Sequence, residues 1–184
     1  MGSDVDAEAI GWLKQAYPDL GLAVNSFTPP LPFEDDEFDV VVSYSVFTHL
    51  DESLQFAWLR ELRRVLAPDG LALLTVSAPG TYERFRSGDM IANSRECAER
   101  MASHGSLDRE GFIFELFDRN PWNEGVFSGI DGDYGLTFHS RDYIERSWSS
   151  VLDVQGIVAP PQMNGWQDVV VATPAAQGPR PRLG

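Results

Sequence analysis

Cysteine is almost absent. Cys97 is the one cysteine among 184 residues, which excludes an internal disulfide and a cysteine-based metal cluster and fits a reducing, cytoplasmic setting. Positive charge is also scarce: 14 Lys and Arg stand against 28 Asp and Glu, a formal net charge of −14. A phosphate backbone needs clustered Lys and Arg, so neither nucleic acid nor an anionic membrane surface is expected as a partner. The acidity most simply serves solubility. Long apolar runs are missing too. The longest near-apolar stretch, Phe38 to Phe47, carries Asp39, Ser43 and Ser45 and is far shorter than the roughly 20 residues that span a bilayer. The opening Met1 to Asp6 has neither the basic nor the apolar region of a signal peptide, and Asp6 stands where a myristoylation site carries Ser or Thr.

What is present suffices for one buried core: 43% of the residues are hydrophobic. Ile10, Leu13 and Ala16 or Tyr17 recur at helical spacing over 7–16, with Asp6 as cap and Pro18 and Gly21 as terminators. Leu22-Ala23-Val24 reads as a short strand, and the following SFTPPLPFEDDE as a turn-rich segment whose acidic run, Glu34 to Glu37, is a solvated loop. Phe38 to Val42 is a buried strand by its β-branched run. From Asp51 to Leu66 the pattern is helical, with Leu54, Trp58, Leu62, Val65 and Leu66 on one face and Glu52, Arg60, Glu61, Arg63 and Arg64 on the others. Ala67-Pro68-Asp69-Gly70 is a turn and Leu71 to Val76 a second buried strand. Strand, helix and strand in succession predict a right-handed crossover and a parallel sheet.

The rhythm is lost over 80–136, with a helix expected around 91–103 and Gly, Asp and aromatics crowding 117–138. Insertions over the carboxyl edge of a sheet often cover a ligand. Phe112, Phe114, Phe117, Trp122 and Phe127 either wall a pocket there or form a local core. Ser140 caps a helix over RDYIERSW, 151–158 and 168–173 are strands, and 174–184 is a frayed, flexible tail. The chain therefore divides into one domain, 1–173, with 80–136 as a substrate-side insertion.

Four segments now stand in order: Gly2-Ser3-Asp4-Val5-Asp6, PPLPFEDDEFDVVVSYSVFTHL, WLRELRRVLAPDGLALLTV and QDVVVA. Together they resemble the later motifs of class I S-adenosylmethionine-dependent methyltransferases, most closely the small-molecule enzymes of the type 11/12 group, over residues 2–78 and 138–173. The resemblance implies an α/β, Rossmann-like sheet, mostly parallel with an antiparallel last strand. It also implies S-adenosylmethionine as cofactor and a small-molecule methyl acceptor. By the same resemblance Asp4 accepts hydrogen bonds from the ribose hydroxyls and Val5 packs on the adenine. Asn25 meets the adenine edge, while Ser26 and Phe27 supply a backbone N–H and a wall. Ser43, Tyr44 and Ser45 meet the methionine part, and His49 is the candidate base. Each has a plainer reading: Asp4 as a helix cap, Asn25 to Phe27 as turn chemistry, His49 as a loop brace. Tyr134 and His139 precede the later helix, near where substrate would enter.

The family's apolar strand and glycine-rich loop should lie before Asp4, where only Met1-Gly2-Ser3 stand. GIDGDYG (129–135) follows no strand and opens no helix, so it reads as a turn-rich loop. The expectation is an N-terminally truncated methyltransferase domain whose sheet has an unpaired edge. The alternative is a non-catalytic remnant or interaction module that keeps the fold. A nicotinamide-dependent oxidoreductase is a third reading, and it requires the 168–173 strand to run parallel to its neighbours.

Overall fold

Two parallel strand–helix–strand units open the chain. In the computed structural model, which describes residues 1–89, 95–118, 128–160 and 165–175, β1 (Gly2–Asp4) leads into α1 (Ala7–Ala16) and returns to β2 (Leu22–Val24), parallel to β1. The Asp6 side chain accepts the N–H groups of Glu8 and Ala9, satisfying two of the donors a helix start leaves open. The second unit is β3 (Phe38–Ser43), α2 (Glu52–Val65) and β4 (Leu66–Ser77), with β3 parallel to β4. Asp51 caps α2 through the Leu54 N–H. The register of β3 on β4 jumps from Phe38 opposite Leu66 to Val40 opposite Leu71. The expected turn at Ala67 to Gly70 is thus a bulge within the strand. Gly70 is required there, because a Cβ would come within 3.0 Å of the Phe38 carbonyl oxygen.

The main sheet has the order β3-β4-β8-β7, with β7 at Leu152–Val158 and β8 at Gln167–Pro174. β8 runs antiparallel to both neighbours, which matches the expected last strand and removes the parallel strand the oxidoreductase reading required. The expectation of a mostly parallel sheet is corrected. Among the described residues β1–β2 and β3–β4 are parallel, while β4–β8, β7–β8 and the pair β5 (Phe112–Leu116) and β6 (Gly135–His139) are antiparallel, and β1–β2 forms a separate two-stranded sheet. The arrangement is mixed because the two parallel pairs are not hydrogen-bonded to each other, and the C-terminal strands add as an antiparallel pair.

The insertion is more ordered than its sequence suggested. It holds α3 (Pro79–Arg86), α4 (Arg95–Ser103), α5 (Leu107–Glu110), β5 (Phe112–Leu116) and β6 (Gly135–His139), followed by α6 (Arg141–Ser147) and a 3₁₀ turn at Trp148–Ser150. The helix expected around 91–103 is found at Arg95–Ser103; 91–94 lie outside the described residues, as do Trp122, Phe127 and the tail from 176 onward. Tyr82, Cys97, Met101, Leu107, Ile113, Leu136 and Phe138 make a small core of its own. The main core lies between α2, the sheet and α6, around Trp58, Leu59, Leu74, Trp148 and Val170.

Every residue of β6 is buried, because one edge pairs with β5 and the other docks on the segment before α2. Gly135 N–H donates to the His49 carbonyl (3.1 Å) and Thr137 N–H to the Thr48 carbonyl (2.8 Å). The Thr137 hydroxyl donates to the Leu50 carbonyl (2.6 Å). His139 Nε2 donates to Gln55 Oε1 (2.8 Å), and the Gln55 amide in turn reaches the Phe47 and Leu50 carbonyls. Among the described residues no helix is long and apolar enough to cross a membrane.

Full burial holds the His139 imidazole neutral, pushing its pKa down to about 3. In the unfolded chain the ring protonates near ~6.5, so proton uptake favours unfolding from that pH downward until the folded ring itself titrates. Stability is therefore complete above about pH 6.5 and falls by up to ~1.4 kcal/mol per pH unit below it. Denaturant midpoints measured from pH 7.5 to 4.5 should show this slope in the wild type. His139→Gln, which cannot ionise, should be less stable at neutral pH and have a shallower acid limb.

Candidate functional site

A cleft of about 570 Å³ opens between the free edge of β1 and the free edge of β3. Seven of the eight sequence-derived cofactor residues line it: Asp4, Val5, Asn25 and Phe27 from the β1–β2 side, and Ser43, Tyr44 and Ser45 from the end of β3. Ser26 does not; it is exposed, and its carbonyl accepts the Asn25 amide (2.8 Å). Asp4 lines the cleft, and its carboxylate accepts the Asp6 N–H (2.9 Å) without capping the helix. The helix itself is capped by Asp6.

Phe27 is held by the core: its side chain is buried and its carbonyl accepts the Trp58 indole N–H (3.1 Å). Across the cleft, Ser45 sits at φ +57°, a left-handed conformation that costs a non-glycine residue about 1–3 kcal/mol and is concentrated at functional sites. The surroundings impose it. Ser45 N–H donates to Thr75 Oγ1 (2.7 Å), and its hydroxyl accepts the Gln167 amide (3.0 Å) beside Thr48 Oγ1. Thus β4 and β8 together shape the turn that ends β3.

His49 lies one ring back from the cleft. Its imidazole stacks on Tyr134, with centroids 4.8 Å apart and planes at 26°, and it is Tyr134 that lines the cleft. His49 Nδ1 is 2.7 Å from the Gly135 carbonyl oxygen. A carbonyl only accepts, so the proton sits on Nδ1 and Nε2 keeps its lone pair. Burial lowers the His49 pKa, opposed only in part by the Gly135 hydrogen bond. The ring is thus a neutral base at neutral pH. His139, expected near the substrate entrance, is instead a core residue bonded to Gln55.

The loop 129–135 is where sequence reasoning missed most. Gly129, at φ +73°, passes so close to Val5 that a Cβ would fall 2.2 Å from the Val5 carbonyl oxygen. A Cβ on Gly132 would fall 2.6 Å from the Phe27 ring. Ile130 and Tyr134 of the same loop line the cleft. These glycines permit close approach to Val5 and Phe27, a need that leaves no periodic signal in sequence. The aromatic insertion resolves toward a local core: Phe117 packs on the smaller core and on His49 and Tyr134, and Phe112 stacks near His139 and Tyr143. Among the described residues no group of three or more His, Cys, Asp or Glu is placed to hold a metal ion.

The strained turn gives a direct test. Thr75→Val removes the acceptor of the Ser45 N–H and should cost about 1–3 kcal/mol, the usual penalty for a buried unmatched donor. Denaturant unfolding measures it. Ser45→Gly should relieve part of the loss in the double variant, since glycine tolerates the positive φ.

Comparison with known proteins agrees with this geometry. A family model described as a methyltransferase domain matches residues 1–74. A SAM-dependent methyltransferase from Methanosarcina mazei shares the fold at a TM-score of 0.59 and 16% identity, covering 96% of this chain and 82% of that one. The PH0226 protein from Pyrococcus horikoshii OT3 does so at 0.56 and 14%, covering 94% and 70%. The glycopeptide N-methyltransferase MtfA, in complex with (S)-adenosyl-L-methionine, matches at 0.55 and 15%, covering 95% and 71%. The first 74 residues thus match a methyltransferase domain in sequence, and nearly the whole chain shares the fold of these solved structures.

Proposed function

We propose that the cleft between β1 and β3 holds S-adenosylmethionine for transfer of its methyl group to a small-molecule acceptor. The carrying observation is that a carboxylate (Asp4), an amide (Asn25), apolar walls (Val5, Phe27) and the backbone ending β3 (Ser43, Tyr44, Ser45) converge on one crevice from two separate sheets. That set suits a nucleoside: the Asp4 carboxylate accepts from a ribose diol, Val5 and Phe27 enclose the base, and Asn25 offers both donor and acceptor to its edge. Ser26 is not part of this wall. When bound, the sulfonium supplies an electrophilic methyl group, so the protein's work is chiefly to align acceptor and donor.

His49 is the proposed base for a hydroxyl acceptor, supported by its neutral state and unprotonated Nε2 one ring behind the cleft-lining Tyr134. The insertion 80–136 shields the acceptor side. With a formal charge of −14, the acceptor is a small molecule and not nucleic acid, and the single buried Cys97 suits the cytoplasm.

The cleft also fits a further strand carrying the glycine-rich loop. β1 and β3 each have one free edge toward it, and Val40 and Val42 on β3 are 53% and 63% exposed, unusual for a parallel strand, whose faces are ordinarily covered.

Calorimetric titration of the folded chain with S-adenosylhomocysteine tests the reading. Asp4→Asn should weaken binding by about 10–100-fold, the loss of a charge-assisted hydrogen-bond pair. A folded wild type that takes up no ligand at millimolar concentration would leave the non-catalytic reading in its place.

A further inference from the structure

Tyr134 touches both working parts of the site. One side of it belongs to the cleft, and its ring stacks on His49. Phe117 closes the group, with its centroid 5.7 Å from Tyr134 and 6.0 Å from His49. The next residue, Gly135, donates to the His49 carbonyl and accepts from His49 Nδ1. Gly135 has no room for a side chain, since a Cβ there would fall 2.1 Å from the Glu115 carbonyl oxygen. The same loop begins at Gly129 against Val5 and passes Gly132 against Phe27. A nucleoside packing on Val5 and Phe27 therefore presses on the backbone that carries Tyr134.

We propose that Tyr134 is a positioning residue for His49, and that the 129–135 loop ties the His49 imidazole to the nucleoside wall. The second part rests on the cofactor placement above; the first does not. Stacking covers one face of the imidazole, and the Gly135 carbonyl selects its tautomer. Tyr134 thereby keeps His49 desolvated and neutral with Nε2 as the bare nitrogen. The phenol stays protonated, because burial and the nearby Asp4 charge both raise its pKa. Movement of the loop by cofactor is felt at the base through the Tyr134 stack and the Gly135 hydrogen bonds, with no new bond to the ligand.

Long-range ¹H–¹⁵N NMR of the histidine side chains in the full chain reads the arrangement without any methyl acceptor. In the wild type His49 should show a protonated Nδ1, a bare Nε2 and a titration below ~6.5. Tyr134→Phe should preserve all three. Tyr134→Ala, or Tyr134→Leu if the alanine variant does not fold, should raise the titration by about half a pH unit or more as water reaches the ring, and should mix the tautomers. A folded variant whose His49 is indistinguishable from wild type overturns the positioning role. Saturating S-adenosylhomocysteine should shift the His49 signals in the wild type, and should shift them less in Gly132→Val, whose side chain collides with the Phe27 ring. Ligand that binds and leaves His49 unmoved overturns the coupling. Ligand that does not bind overturns the cofactor placement, and the variant spectra still decide the role of Tyr134.

Discussion

The hydrogen bond from the Trp58 indole to the Phe27 carbonyl joins the two halves of the site. Both side chains are buried, so neither group finds water if the bond breaks, and each unmatched partner costs about 1–3 kcal/mol. Its position matters more than its strength. The β1–α1–β2 unit shares no strand pairing with the main sheet. It is held through Phe27 on α2 and through the glycines of the 129–135 loop that seat on Val5 and Phe27. The cleft exists because this attachment is at its rim and floor and leaves the strand edges apart.

A second constraint acts from the opposite side. β6 is buried along its whole length because it is gripped twice, by β5 and by the segment 47–50. That segment has little regular structure of its own, yet its backbone groups are matched one after another by Gly135, Thr137 and Gln55. A buried backbone polar group must find a partner. Here the insertion supplies it, and in doing so orients His49. Two histidines then reach opposite ends. His139 is a fully enclosed neutral ring that braces α2 through Gln55, and His49 is a partly enclosed neutral ring whose second nitrogen remains available for chemistry.

The chemistry asks for no more than this. Methyl transfer from a sulfonium depends on alignment and on exclusion of competing water, with a base needed only for weakly nucleophilic acceptors. On the proposed reading, the turn at Ser45, the apolar wall of Val5 and Phe27 and the neutral His49 imidazole behind Tyr134 would supply those elements.

Local physics made much of this legible in the sequence. Asp6 and Ser140 each cap the helix they were expected to cap, and Asp51 does the same for α2, because a short polar side chain before a periodic apolar run meets open N–H groups wherever it occurs. The strands at 22–24, 38–42, 71–76, 151–158 and 168–173 followed from short apolar runs, β-branched at 38–42, and Asp4 and Ser43 to Ser45, singled out by their motifs, line one crevice. The tertiary structure decided what depends on distant partners. Gln55, Leu59 and Glu61 are buried on α2 beyond the face its apolar spacing marked, since Leu31 and the 47–50 segment cover its flanks. The β5–β6 pair, the core position of His139 and the seating of 129–135 on Val5 and Phe27 likewise arise from contacts across long stretches of chain. Such contacts impose no period on the sequence, so a glycine needed for close approach reads the same as a glycine in a turn.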